Sequence, residues 1–387
     1  MVSLRGKAAI TGIGETKFEK HGERSIYELA AEAARNAMLD AGLLPRDLDG
    51  IITLGALSTT ARLNNTLASY LGIQPTYSAE ASVYGASGGY ALKLAAEAIA
   101  SGTARNILVV GADVNFLKKP SNEMCELADD YQKPFIGAGI NQHYGMVATL
   151  YDHLYGDSSQ ERAKIAVMQR FNASYYENAL FGHKPLTIED VLNAPVIVSP
   201  LTLYEIVAPC DGAIAFVVSS AKDAKAITKT PVYIEGAGFY SGHMLMTDAE
   251  LWRNGLVTPI HKSARIAFEM AGITVSDIDV CGLYDCYTIA VILTLEDMGF
   301  CKKGEGARFV AEHDLTFKGD LPVNTSGGQL SVGQPGDAGG MVNIIEVVRQ
   351  LMGRCDARQV TDAEIGVTNS NGGFFSNECT LVLRRGG

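Results

Sequence analysis

The feature that most constrains this chain is a repeated corner. Residues 34–49 read ARNAMLDAGLLPRDLD, and residues 264–279 read ARIAFEMAGITVSDID, at a constant offset of 230. Identities fall at Ala34/Ala264, Arg35/Arg265, Ala37/Ala267, Ala41/Ala271, Gly42/Gly272, Asp47/Asp277 and Asp49/Asp279. In each copy an amphipathic helix runs into a glycine, the residue that ends helices in the left-handed conformation. A short connection and an apolar strand follow, GIITLG in one copy and VCGLYD in the other. The shared order of elements points to duplication of an αβ half.

Further apolar runs fit the same scheme. KAAITGIG (7–14), NILVVGAD (106–113), AIAFVVSS (213–220), PVYIEGAG (231–238), AEIGVTNS (363–370) and CTLVLRR (379–385) read as strands. Helical patterns lie at 25–41, 86–101, 262–271, 288–298 and 338–352. Alternating strands and helices predict buried sheets with helices on their faces. About 119–205 is rich in Tyr, Asn, His and Asp and reads as an inserted loop domain. The expected division is 1–118, 119–205 (the insertion), 206–245 (a return to the first half) and 246–387 (the second half).

Composition narrows the function classes. The 387 residues are 47% hydrophobic and include 41 glycines, enough for a large core with many tight turns. The formal net charge is −11 and Lys/Arg clusters are missing from the sequence, which argues against nucleic-acid binding. Seven cysteines, an odd number with no CxxC, argue against a disulfide framework and a zinc ribbon, so reduced thiols in the cytoplasm are expected. The opening MVSLRGKAAITG lacks the apolar core of a signal peptide, and no apolar run approaches the ~18 residues of a membrane span.

Three glycine-rich segments carry the chemical information: GASGGYAL from Gly85, VNTSGGQLSVGQPGDAGG (323–340) and NSNGGFF (369–375). Each stands at a strand end or a helix start, where backbone N–H groups and the helix dipole favour anions.

These segments, with GKAAITGIGETKF at the start and LYDCYT…LEDMGFCKKGEG later on, resemble the thiolase superfamily. The resemblance covers nearly the whole chain and is nearest the sterol-carrier-protein-type thiolases and the lipid-transfer thiolase-like proteins. It implies the α/β thiolase fold: five layers, αβαβα, from two duplicated halves with an inserted loop domain. It also implies an acyl-CoA ester as substrate and a homodimer core. The departures matter as much as the match. The nucleophilic cysteine of the family falls on Gly85, the histidine of Gly-His-Pro on Gln334, the second cysteine on Ser370, and the Asn or His beside the thioester oxygen on Tyr284. The resemblance therefore does not carry over a cysteine acyl-enzyme.

The candidate site follows residue by residue. Tyr284 can donate to an oxyanion or shuttle a proton, or it is a core tyrosine; Gln334 can hold an oxygen but is no base near neutrality. Gly372 and Gly373 can offer backbone N–H donors, as the equivalent glycines do in the family. His243, His143 and Tyr240 are candidate acid–base groups, although a lone histidine is more often structural or exposed. Gly85, Ser87, Cys286, Asn324 and Ser370 are expected around the substrate pocket, Gly85 opening room for bulky or aromatic acyl groups. Ser87 and Cys286 read more readily as structural than as nucleophiles. Asp285 can orient a partner or cap the following turn, with the cap favoured; Asp211 and Gly212 read as a structural turn; Cys125 and Cys379 carry no motif.

Three functions fit this set. The first is an atypical thiolase that cleaves a bulky 3-oxoacyl-CoA with CoA, or forms it by Claisen condensation, without an acyl-enzyme. The second is a retro-aldolase that cleaves a 3-hydroxyacyl-CoA, although such aldolases tend to carry a tyrosine where Gln334 stands. The third is a non-catalytic acyl-CoA or lipid-binding subunit. No cofactor is expected to be bound in this chain, with coenzyme A as cosubstrate. The resemblance also implies a small, separately encoded partner with a zinc ribbon and an OB fold.

Overall fold

The computed structural model describes residues 4–58, 62–115, 139–242 and 253–386. The strands β1 (Ala8–Glu15), β2 (Gly50–Leu54), β3 (Tyr77–Ala81), β4 (Asn106–Asp113), β5 (Val196–Val198), β6 (Leu201–Thr202), β7 (Gly212–Ser220), β8 (Val232–Ser241), β9 (Val280–Leu283), β10 (Ile365–Gly372) and β11 (Asn377–Arg385) follow in chain order. Nine of them run in the order β3-β2-β4-β7-β1-β8-β11-β10-β9, while β5 and β6 form a separate hairpin.

The order contains the duplication. β3-β2-β4 are parallel, and β7 and β1 continue the set antiparallel. β9-β10 are parallel, and β11 and β8 continue antiparallel. At the place equivalent to β3, the second set has only a single bridge, Cys281 to Val323. The sets touch through two register pairs, Ala9 with Tyr233 and Ile10 with Val232. Helix Ser87–Ala100 packs against strands of both sets and against helix Gly340–Leu351. Helix Ile26–Ala41 covers the outer face of β1, β7 and β4, and helix Ile260–Ala271 covers β8 and β11. Helix, sheet, helix, sheet and helix are the five layers of the thiolase fold.

The repeated residues have matching roles. Gly42 (φ 64°) and Gly272 (φ 69°) end the two outer helices. Asp49 accepts from the backbone N–H of Arg105 and Asn106 at 2.9 and 2.8 Å, seating the entrance of β4. Asp279 accepts from Glu364 and Ile365 at 2.9 and 2.8 Å, seating β10. A Cβ on Gly12 of β1 would collide with the Ala37 carbonyl, and one on Gly236 of β8 with the Ala267 carbonyl. Glycine lets each outer helix lie against its strand.

The insertion holds more regular structure than its composition suggests. Helices Ile140–Tyr155 and Ser159–Ala173 pack on helix Thr288–Met298, whose eleven residues are all buried. Arg162, 1% exposed, pairs with Glu205 at 2.8 Å and Asp152 at 2.9 Å, so a buried charge is matched on two sides. Asn172 donates to the Val323 and Asn324 carbonyls at 3.2 Å and braces the long glycine loop. No helix among the described residues is long and apolar enough to cross a membrane.

Candidate functional site

The carboxyl ends of β2, β4, β9 and β10 converge beside the amino end of helix Ser87–Ala100, the place where open α/β sheets gather ligands. A cavity of about 70 Å³ opens there, lined by Leu57, Gly85, Tyr284, Gln334, Asp337 and Gly372 among others.

Tyr284 takes the centre. A Cβ on Gly85 would collide with the Tyr284 hydroxyl and with the Asn371 carbonyl. The pocket expected from the missing side chain at Gly85 is thus not open: the phenol of Tyr284 fills it. Gln334 Nε2 donates to Tyr284 Oη at 3.0 Å. Among the described residues no acceptor takes the Tyr284 proton, so the O–H is left to donate into the cavity. Burial pushes the phenol pKa well up, which keeps that proton in place.

The other expected residues divide. Gly372 and Gly373 line the cavity, and Gly373 (φ 60°), Phe374 (φ 60°) and Phe375 (φ 64°) form a left-handed turn at its wall. Left-handed backbone at two phenylalanines is strained, and such strain gathers at working sites. Cys286 also lines the cavity, against the Tyr144 hydroxyl. Three residues placed around the pocket lie off it. Ser87 accepts from the Val83 N–H at 2.9 Å and donates to the Tyr84 carbonyl at 2.5 Å, so its hydroxyl closes the turn. Asn324 exchanges hydrogen bonds with the Leu283 backbone at 2.8 and 2.9 Å and fixes the end of β9. Ser370 faces helix Ser87–Ala100, where a Cβ on Gly89 would stand 3.1 Å from its Oγ. His243 and Cys125 lie outside the described residues.

His143 stacks on Phe374 with ring centroids 4.1 Å apart and donates from Nδ1 to the Gly139 carbonyl at 3.0 Å. Burial lowers its pKa, so the ring is neutral behind the cavity wall. Tyr240 is held by Lys262 at 3.0 Å, away from the cavity. Asp285 accepts from the Gln329 and Leu330 N–H groups at 3.0 and 3.1 Å and from Asn343 at 2.8 Å, capping helix Gly328–Val332.

Sequence reasoning missed Asp337. It lines the cavity, is 7% exposed, and receives no hydrogen bond from the described residues. Burial, and then the charge of Asp113, pushes its carboxyl up to about 7. Asp113 is itself satisfied by the N–H groups of Leu57 at 2.7 Å, Val114 at 2.9 Å and Ser58 at 3.2 Å. The available signal was one carboxylate in QPGDAGG, a loop otherwise made of small neutral residues.

Comparison with known proteins decides the family. The C-terminal domain-like model of thiolases matches residues 241–385. The chain is 33% identical to a Methanothermobacter thermautotrophicus protein named acetyl-CoA acetyltransferase, over 97% of this chain and 99% of that one. The chain belongs to the thiolase superfamily. It is also 34% identical to a steroid side-chain-cleaving aldolase of Thermomonospora curvata, over 91% of this chain and 92% of that one. A solved structure named Ltp2-ChsH2(DUF35) aldolase superposes with a TM-score of 0.86 at 30% identity, covering 99% of this chain and 98% of that one.

Among the described residues, this thiolase-superfamily site offers no thiolate. Burial pushes up the thiols of all six described cysteines, Cys210, Cys281, Cys286, Cys301, Cys355 and Cys379. A thiol held protonated is neither nucleophile nor base. What remains is a proton donor at Tyr284, an amide behind it at Gln334, and a carboxyl at Asp337.

Proposed function

We propose that the chain cleaves or forms the bond between C2 and C3 of an acyl-CoA ester by aldol chemistry, without a covalent acyl-enzyme. In the cleavage direction a 3-hydroxyacyl-CoA yields a carbonyl compound and a shorter acyl-CoA. The observation that carries this reading is the Tyr284 hydroxyl, backed by Gln334, in the space above Gly85. An enolate oxygen placed in the cavity beside that hydroxyl accepts a hydrogen bond from the phenol. Gly372 and Gly373 line the same cavity, and we read their backbone N–H groups as the further donors of an oxyanion site. The narrow cavity takes the reacting carbons, and a bulky acyl remainder lies beyond its mouth at the half-exposed Tyr84.

Thiolysis by free CoA in a ternary complex is the second reading, favoured by the identity with the acetyl-CoA acetyltransferase. Mass spectrometry of bulky 3-hydroxyacyl-CoA and 3-oxoacyl-CoA esters, with and without CoA, separates the two. Cleavage of the hydroxy ester without added CoA is expected. Cleavage of the oxo ester only with CoA would establish the thiolase, and tight binding without turnover a binding subunit. We further read the chain as a homodimer through the sheet edge at β3, with a small zinc-ribbon and OB-fold partner; the likeness to the Ltp2-ChsH2(DUF35) aldolase supports the partner. Full activity of the chain purified alone would remove it.

A further inference from the structure

We propose that Asp337 is the catalytic base and acid of this site: it takes the proton of the 3-hydroxyl and returns it to C2. The inference rests on the reading that the site handles an acyl-thioester enolate. Asp337 is more than nine-tenths buried, has no donor among the described residues, and lines the same cavity as Tyr284. A largely buried carboxyl with no protein partner needs water or a ligand in the cavity to complete it.

Its surroundings explain how it can both take and give a proton. Asp113 lies against the backbone of Gly336, where a Cβ would collide with its carboxylate. Burial raises the Asp113 carboxyl and its three backbone N–H bonds pull it back down, and its charge when ionised opposes a second charge next door. Among the described residues, the titratable groups lining the cavity besides Asp337 are Tyr84, Tyr144, Tyr284 and Cys286. Burial keeps Tyr144, Tyr284 and Cys286 protonated at neutral pH. Asp337, pushed up to about 7, divides between its two forms there, as suits a group that works in both directions.

The step balances without a cofactor. The Asp337 carboxylate accepts the hydroxyl proton, and the O–H electrons become the new carbonyl π bond at C3. The C2–C3 pair moves onto the thioester as an enolate, held by Tyr284. The proton on Asp337 then goes to C2, giving the shorter acyl-CoA and regenerating the carboxylate.

Enolate formation can be read apart from cleavage, as deuterium uptake at C2 of acetyl-CoA and propionyl-CoA in D2O. The full chain is used with any copurifying partner retained. Wild type is expected to exchange, at a rate that rises with pH through about 7 and then levels off, as a base that must be ionised requires. D337N, near in size, is expected to slow exchange ~10²–10⁴-fold with its fold intact by circular dichroism, and D337E to recover part of the rate. D337N exchanging at the wild-type rate, or a wild-type rate without that pH dependence, overturns the assignment. So does wild type that exchanges neither ester. Wild type that exchanges but cleaves no 3-hydroxy ester sinks the aldol reading and leaves Asp337 standing.

Discussion

The two halves are alike at one end of their strands and unlike at the other. At the entrance, Asp49 and Asp279 each accept two backbone N–H groups from the next strand at nearly equal distances, and Gly42 and Gly272 end the helices that lead in. At the exit the same offset pairs Leu54 with Tyr284. Leu54 is core, 1% exposed, whereas Tyr284 directs a hydroxyl into the cavity. The entrance must satisfy backbone groups in the same way in both halves, because an unpaired buried N–H is costly whatever the protein does. The exit is free of that demand, and chemistry is built there.

The largest expected effect breaks the pair at the exit. Y284F keeps the ring and removes the proton donor, so kcat is expected to fall ~10²–10³-fold, as for loss of one oxyanion-hole donor, with little change in Tm. L54A at the paired position is expected to do the reverse. It should cost ~2–5 kcal/mol in chemical denaturation, as large-to-small core changes do, and leave the chemistry of the folded fraction alone. A Y284F enzyme with full kcat would remove the functional half of the contrast.

Next is G85A. The new methyl must displace the Tyr284 hydroxyl and crowd the Asn371 carbonyl. Overpacking of this kind costs ~1–3 kcal/mol, and activity should fall with it because the phenol moves. Truncating the phenol as well, in G85A/Y284A, should cost less stability than the two single losses added together, since one of the two clashes is then gone. Simple additivity would mean that Tyr284 does not occupy the space above Gly85.

The comparison also shows what the sequence could disclose. The repeated corner was legible because helix ends, caps and strand entrances are local, and each is written in adjacent residues. Gly85, Tyr284 and Gln334 were legible as a set through the family frame, and the structure brings them together. β3 was not legible: YSAEA is an edge strand with alternating exposure, so it carries no apolar run. The helices of the insertion escaped because they bury Arg162, Gln169 and Asn172, polar residues that composition assigns to the surface. Ser87, Asn324 and Ser370 stand in the right segments but face away from the cavity, and facing depends on register that single motifs do not fix. Asp337 became visible only when the fold buried its carboxyl without a partner.

A smaller effect tests the entrance. D49A and D279A each remove two backbone hydrogen bonds to a carboxylate. Each is expected to cost ~1–3 kcal/mol, with the two losses similar and kcat unchanged. A much larger loss of kcat in D279A than in D49A would mean that the second entrance, 5 residues upstream of Tyr284, also positions the site.

The smallest expected effect is at Cys286, and its smallness is informative. Among the described cysteines, Cys286 lines the same cavity as Tyr284, and a covalent mechanism through it would need it as a thiolate. Burial is the first cause of its raised pKa, and the nearby charge of Asp285 adds to it. The thiol therefore stays protonated across the working range. C286S should keep wild-type kcat and Tm within a few degrees, and iodoacetamide at pH 7.5 should leave the wild-type enzyme active. No acyl-enzyme should appear by intact-mass measurement during turnover. A C286S enzyme that loses turnover, together with an acylated wild-type chain, would move the nucleophile from the first half's turn to the second half's strand end. The exit of β9 would then hold the whole reaction rather than one proton donor.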